Sequence, residues 1–355
     1  MKKLPNSLQH PILREIMPIK TMFLQQRAPR VVLLGDRAAS RTSLANALFS
    51  APVACSEEDH LQDGTWQTFE HGHGKMRILD ARTPASLALL TRAIESERPD
   101  VFLFLHVEPR SSEEVAADFE RVSQIITALP PVEGSPTPHI IGVSVSCTGE
   151  CEPETVRRQL REALTDRARN PFADKVTGVF VLHSGAGEAH ALAKAIALEL
   201  PPEAKLEMGR LSGVREVQRE LAQVVIKSIT AICAAIGAQP IPLADLPVLT
   251  SLQAAMVAGI MHISGRDLSL KLAGQWITAL GANIGLALAL REGARATLKF
   301  VPVWGDIISG GIAAAGTYAM GRAAAAYFIE GMTLQDAQRL FKKTKKNQNP
   351  PLLRS

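Results

Sequence analysis

The sequence predicts an α/β fold, a mainly parallel six-stranded sheet, followed by an all-α helical domain, and three observations carry that prediction. Between Arg30 and Leu200 short aliphatic runs alternate with amphipathic stretches of helix length. From about Arg210 to Met332 the strands disappear and long apolar segments rich in Gly and Ala take over. Pro201 and Pro202, in "ELPPEAK", mark the change. The 355-residue chain is long enough for two domains, and 46% hydrophobic with 21% charged residues is the composition of a folded protein. The expected organisation is an N-terminal arm (1–29), an α/β domain (30–203), a Gly/Ala-rich helical domain (204–340) and a basic tail (341–355).

Six strands are expected, at Val31–Leu34, about Thr65–Glu70, Met76–Leu79, Val101–His106, His139–Val145 and Val176–Leu182. The second and third flank "HGHGK", a turn short enough for antiparallel neighbours; helix-length segments separate the others, as parallel crossovers require. One antiparallel edge strand on a parallel sheet follows. Helix starts are signalled by Pro84 in "TPASLALLTRAIES", Ser111 before "SEEVAADF" and Pro153 opening "PETVRRQL". Pro5, Pro11, Pro18 and Pro29 interrupt the first thirty residues, which read as an arm with a short helix.

Charge and cysteine usage narrow the function classes. Net charge is +4 and the largest basic run is the terminal "FKKTKKNQNPPLLRS", so the broad basic face of a nucleic-acid binder is missing and no nucleic-acid partner is expected. Cys55, Cys147, Cys151 and Cys233 have no disulfide-framework spacing, and no secretory signal pattern opens the chain, which implies a reducing, cytoplasmic setting. His71 and His73 with Cys147 and Cys151 supply four possible zinc ligands, but the hairpin and the loop after strand five lie at opposite ends of the sheet, so an exposed turn is expected instead.

"VVLLGDRAASRTSLANALF" (31–49) passes from strand through glycine into helix, the layout that places backbone N–H groups around phosphates. Gly35 and Thr42 fit a phosphate loop of the form Gly, four residues, Gly-Lys-Ser/Thr. Ser40 stands where the second glycine belongs and Arg41 where the lysine belongs. A side chain at the first of these crowds the ligand, and a planar guanidinium is not equivalent to a compact ammonium at the second. Asp80 ends the third strand where a magnesium-directed aspartate belongs, but Thr83 replaces the glycine three residues on. No Asn-Lys-x-Asp follows strand five, so no base-reading carboxylate is offered. Either a phosphate site or a plain βα connection satisfies these letters.

Through "GDRAASRT", "DART" and "HSGAGE", residues 30–200 resemble the Era-like branch of the translation-factor-related P-loop GTPases. The resemblance implies GTP or GDP with Mg²⁺ as cofactor. It makes Gly35, Asp36, Ser40, Arg41, Thr42, Ser43, Asp80, Ser184, Gly185 and Ala186 the nucleotide-side positions, with Thr42 and Asp80 toward Mg²⁺. It assigns no catalytic residue.

In the helical part, 272–290 carries no charged side chain across 19 residues, about 28 Å as a helix and close to a bilayer's hydrocarbon thickness. Leu272, Trp276, Leu280, Ile284 and Leu288 form one stripe in it, and Leu249, Leu252, Met256, Ile260 and Ile263 another, both read as bundle core. Gly281 with Gly285, and Gly310, Gly311, Ala314 and Ala315, are spaced for close helix approach. Asp306 is expected to cap an apolar helix. "PIPLADLPVLTSLQAAMVAGIMHISG" and "VPVWGDIISGG" look like the uncharacterised helical domain that follows bacterial Era-like GTPase domains and occurs in the YcjF type of inner-membrane protein.

Together these readings describe a membrane-proximal pseudo-GTPase at the cytoplasmic face of a bacterial membrane, regulatory or scaffolding, with weak or no turnover. Its partner, through the helical domain, is a membrane surface or a protein, a second copy of the chain included. The alternatives are an active GTP-binding switch in which Arg41 serves as an unorthodox ligand, and an oligomerising structural protein without nucleotide.

Overall fold

All six strands lie in one sheet: β1 (Arg30–Gly35), β2 (Trp66–His71), β3 (Gly74–Asp80), β4 (Val101–His106), β5 (His139–Val145) and β6 (Val176–Leu182), in the order β2-β3-β1-β4-β5-β6. β2 runs antiparallel to β3, with His71 opposite Gly74, and the other pairings are parallel. The fold is therefore α/β with one antiparallel edge strand, followed by a helical part. The computed structural model describes residues 6–39, 44–45, 48, 64–71, 74–82, 86–107, 111–127, 138–145, 152–182, 186–238, 246–281 and 302–348. In chain order its α-helices are α1 (Asn6–Leu24), α2 (Leu87–Ser96), α3 (Ser112–Thr127), α4 (Pro153–Thr165), α5 (Ala186–Glu199), α6 (Pro202–Ser212), α7 (Arg215–Gly237), α8 (Leu246–Ile263), α9 (Leu270–Ala279), α10 (Pro302–Phe328) and α11 (Leu334–Gln348).

The chain divides into two compact units, Gln26–Val214 and Met1–Gln25 together with Arg215–Ser355. In the first, β4 is buried along its whole length, which is why "VFLFLH" shows no polar alternation. Phe102 and Phe104 on β4, Ile140 on β5 and Val32 and Leu34 on β1 pack under Phe119, Leu160 and Phe172. Helix starts follow local chemistry. Ser111 Oγ accepts from Glu114 N–H at 3.3 Å while Glu114 Oε2 accepts from Ser111 N–H at 2.9 Å, a reciprocal capping box. Ser86 Oγ caps α2 through Leu89 N–H, and Pro153 opens α4.

Two polar clusters hold the N-terminal edge of the sheet. Arg27 binds Asp100 through two 2.7 Å hydrogen bonds, and these raise its pKa further above the ordinary arginine value. On α6, buried Glu207 accepts from Lys75 N–H at 2.8 Å and from Gln26, tying that helix to β3. Gly74 makes the approach possible, because a Cβ there would lie 2.9 Å from Leu211 Cβ.

In the helical unit α7 is packed by α1, α8 and α10. The N-terminal segment forms one 19-residue helix through Pro11 and Pro18, longer than its prolines predict. Packing overrides local propensity here: Met22 is buried and Phe23 seats against Gly259 and near His262. The second stripe is core as expected, with Leu249, Met256, Ile260 and Ile263 buried. Four expectations are corrected. The charge-free stretch does not make one 19-residue helix, since α9 ends at Ala279 and Gly281 turns at φ +76°; 10 residues rise about 15 Å, half a bilayer. The face of α9 that packs is Ala273, Trp276, Ile277 and Leu280, whereas Leu272 is exposed. Among the described residues a Cβ on Gly281 or Gly311 would meet nothing within 4 Å, so neither marks a close helix contact there. Gly321 does, at 2.7 Å from Ile226 and 3.1 Å from Met256. Helix α10 already begins at Pro302, so Asp306 falls in its second turn rather than at a cap. Ile284, Gly285 and Leu288 lie outside the described residues.

By length and composition one helix among the described residues, α7, could cross a membrane. Half of its most apolar window is buried against its neighbours, a property it shares with soluble core helices.

Candidate functional site

The turn after β1 is built around Gly35. Its φ is +88°, and a Cβ there would stand 2.3 Å from the Leu105 carbonyl oxygen, so both conformation and space require glycine. Asp36 N–H donates to that same oxygen at 2.8 Å, and Asp36 Oδ1 accepts from Ala38 N–H at 2.8 Å, turning the chain away from the strand. Leu44, Ala45 and Leu48, farther along the chain, are helical and buried. Ser40, Arg41, Thr42 and Ser43 lie outside the described residues.

Asp80 ends β3 beside this turn, since β3 pairs with β1 in register Leu33 to Asp80 and Ala81 N–H donates to Leu33 O at 3.0 Å. Two residues on, Arg82 folds back into the site with its side chain only 4% exposed. Its Nε donates to Asp80 Oδ1 at 2.9 Å and its Nη2 to Asp80 Oδ2 at 2.8 Å, a bidentate pair. Its Nη1 reaches the turn itself, donating to the carbonyls of Asp36 at 2.9 Å and Ala39 at 2.8 Å. One guanidinium thus spans the aspartate and the backbone of the loop. The Asp80 carboxylate also accepts from Arg82 N–H at 3.1 Å.

The structure brings Gly35, Asp36 and Asp80 together. Ala186 is the first residue of α5, just beyond the end of β6 at Leu182, while Ser184 and Gly185 lie outside the described residues, as do Thr83, His73, Cys147 and Cys151. Among the described residues no group of three or more His, Cys, Asp or Glu gathers as a metal site. Sequence reasoning missed Arg82. It stands in "DART", two positions after the aspartate, and no propensity rule marks an arginine there for burial.

A cavity of about 730 Å³ opens between α3 and α4, with Phe119 and Leu160 as floor and His106, Glu162, Asp166 and Arg169 at its polar margin. None of the residues expected at the nucleotide lines it among the described residues. Ser144, in register with His106 on β5, is fully buried.

No protein-family model matches the sequence, and no curated protein does. The Era-like and YcjF-type resemblances therefore rest on the motifs quoted above. Among solved structures the chain is similar to an oligomerised bacterial dynamin pair, reported as providing a mechanism for the long range sensing and tethering of membranes. The identity is 9% and the TM-score 0.32, over 82% of this chain and 49% of the other. This chain spans about half the length of that protein.

Proposed function

We propose that the chain is a membrane-proximal pseudo-GTPase, a GTPase-like domain with weak or no nucleotide turnover joined to a helical part that engages a membrane or a protein. The observation that carries the reading is Arg82 on Asp80. A Mg²⁺ ion held toward Asp80 would face the Arg82 guanidinium already bonded to both carboxylate oxygens, so in this arrangement the aspartate suits an internal ion pair and not a divalent cation. Ser40 and Arg41 in place of Gly and Lys argue in the same direction. The positioning of phosphates that phosphoryl transfer depends on is weakened at three points at once.

Thermal melting of the full chain with GTP, GDP or ATP and Mg²⁺ tests the reading, because a ligand that binds the native state raises apparent stability by mass action. No shift at millimolar nucleotide is expected. Hydrolysis of GTP that Asp80→Ala abolishes would sink it. The retained Gly35 turn favours a second reading, an active switch using Arg41, and that reading requires the shift that the first one denies.

A further inference from the structure

Four large apolar side chains stand in water at one end of the helical unit. Leu268 and Leu270 are 60% exposed, Leu272 50% and Met332 40%. They come from two segments that meet at Phe328, the last residue of α10. Arg266 lies 4.8 Å over the Phe328 ring and Trp276 of α9 is 5.2 Å from it, which brings 266–276 to this end. Met332 N–H donates to Ala326 O at 3.0 Å, so Met332 belongs to the turn that closes α10.

From that turn α11 departs. Thr333 caps it, accepting from Asp336 N–H, and Ala337 and Phe341 bury its inner face. Arg339, Lys342, Lys343 and Lys346 follow at i, i+3, i+4 and i+7, so they share the opposite, exposed face. Arg339 pairs with Asp336 at 3.2 Å, whereas Lys342, Lys343 and Lys346 make no ion pair among the described residues. Lys271, between the leucines, is exposed as well.

We propose that this end of the helical unit docks on an anionic lipid surface. Leu268, Leu270, Leu272 and Met332 enter the interfacial layer, and the cationic face of α11 lies against acidic headgroups. The proposal rests on the membrane-proximal reading above and assigns the surface that performs it. Charge complementarity selects the occupant: a strip of lysines without acidic partners suits any dense negative surface, and side chains on a loop and a first helical turn need a fluid apolar layer rather than a shaped pocket.

Co-sedimentation of the full chain with phosphatidylcholine vesicles, with and without phosphatidylglycerol, tests this. The protein is expected to pellet with the anionic vesicles only, and less so as salt rises. Lys342→Gln with Lys343→Gln and Lys346→Gln should lower partitioning roughly fivefold per cation. Leu268→Ser with Leu270→Ser and Leu272→Ser should release the protein while leaving its melting temperature unchanged, since all three side chains are exposed. If the wild type pellets and both triple variants pellet equally, the surface is wrong and the membrane reading stands. If the wild type stays in the supernatant with both vesicles, the membrane reading itself fails. Self-association that the variants abolish, without vesicle binding, would make a second copy of the chain the occupant and overturn the proposal. Equal binding to neutral vesicles would overturn its electrostatic half.

Discussion

Truncating Arg82 tests the central claim about the site. In Arg82→Met the guanidinium's bonds to Asp80, Asp36 O and Ala39 O are lost, and an aspartate whose side chain is 12% exposed loses this cation. Removing one partner of a buried pair costs about 3–5 kcal/mol, because the remaining charge is left uncompensated. For a unit of this size each 1 kcal/mol moves the melting temperature by roughly 2–4 °C, so a fall of about 6–20 °C is expected. Removing both charges, Asp80→Leu with Arg82→Met, should recover most of that loss, since apolar replacement of a whole buried pair is often neutral. The cycle is measured by urea denaturation of the four proteins. In the single variant, loss of the guanidinium from Asp80 should also make the melt respond to millimolar Mg²⁺, which the wild type should not. A single variant within about 0.5 kcal/mol of wild type, the range of ordinary surface changes, would refute the ion pair as the organiser of the site.

Three further outcomes follow from particular contacts. Gly35→Ala should cost about 2 kcal/mol or more in a chemical melt, as the residue combines φ +88° with a 2.3 Å approach to Leu105 O. Gly311→Ala, with no atom of the described residues within 4 Å of the added Cβ, should be neutral or stabilise by up to about 1 kcal/mol, whereas Gly321→Val must displace Ile226 and should lower the melting temperature. Cys233 is buried, which pushes its thiol up to about 11 from an ordinary 9.0, so alkylation read at its own peptide should be negligible in the native protein at pH 8 and rapid in urea. Because the folded value is the raised one, the thiol's contribution to stability is complete below pH 9 and is lost as pH climbs toward 11; a Cys233→Ala variant should show a shallower loss across that window.

Which parts of this structure the sequence disclosed follows from the range of the forces involved. Strands β1 to β6 and the antiparallel edge were legible because each is a short aliphatic run bounded by turn letters, and "HGHGK" is too short for a crossover. Ser111 with Glu114 and Pro153 were legible for the same reason, since caps act within four residues. What failed was long-range. Pro11 and Pro18 argue locally against a helix that α7 and α8 stabilise from outside, and Leu272 belongs to a stripe of every fourth residue that the break at Gly281 cuts short. Gly281, Gly311 and Gly321 are equivalent as letters, and only the neighbour across the helix pair decides which one needs to be glycine.

The same distinction applies to the site. Ser40, Arg41 and Thr83 depart in the sequence from the letters of the motifs quoted above, but letters alone do not say what Gly35 and Asp80 do instead. Asp80 read as half of a magnesium switch because its position after β3 is a local fact. Its partner is also local in sequence, only two residues away, yet the bond depends on where the backbone of Asp36 and Ala39 stands, and those residues are more than forty positions earlier. A planar guanidinium meets both oxygens of an aspartate and two loop carbonyls at once, a fork geometry that neither a lysine ammonium nor a threonine hydroxyl reproduces. Arg82 therefore gives the loop a reason to keep Gly35 and Asp80 that does not involve a nucleotide: the turn and the aspartate are the two walls of a buried ion pair that holds β1 and β3 to the connection after them. On that account the Gly35 turn is part of the fold's own packing, and the decisive comparison is between the stability lost in Arg82→Met and any Mg²⁺ response gained with it.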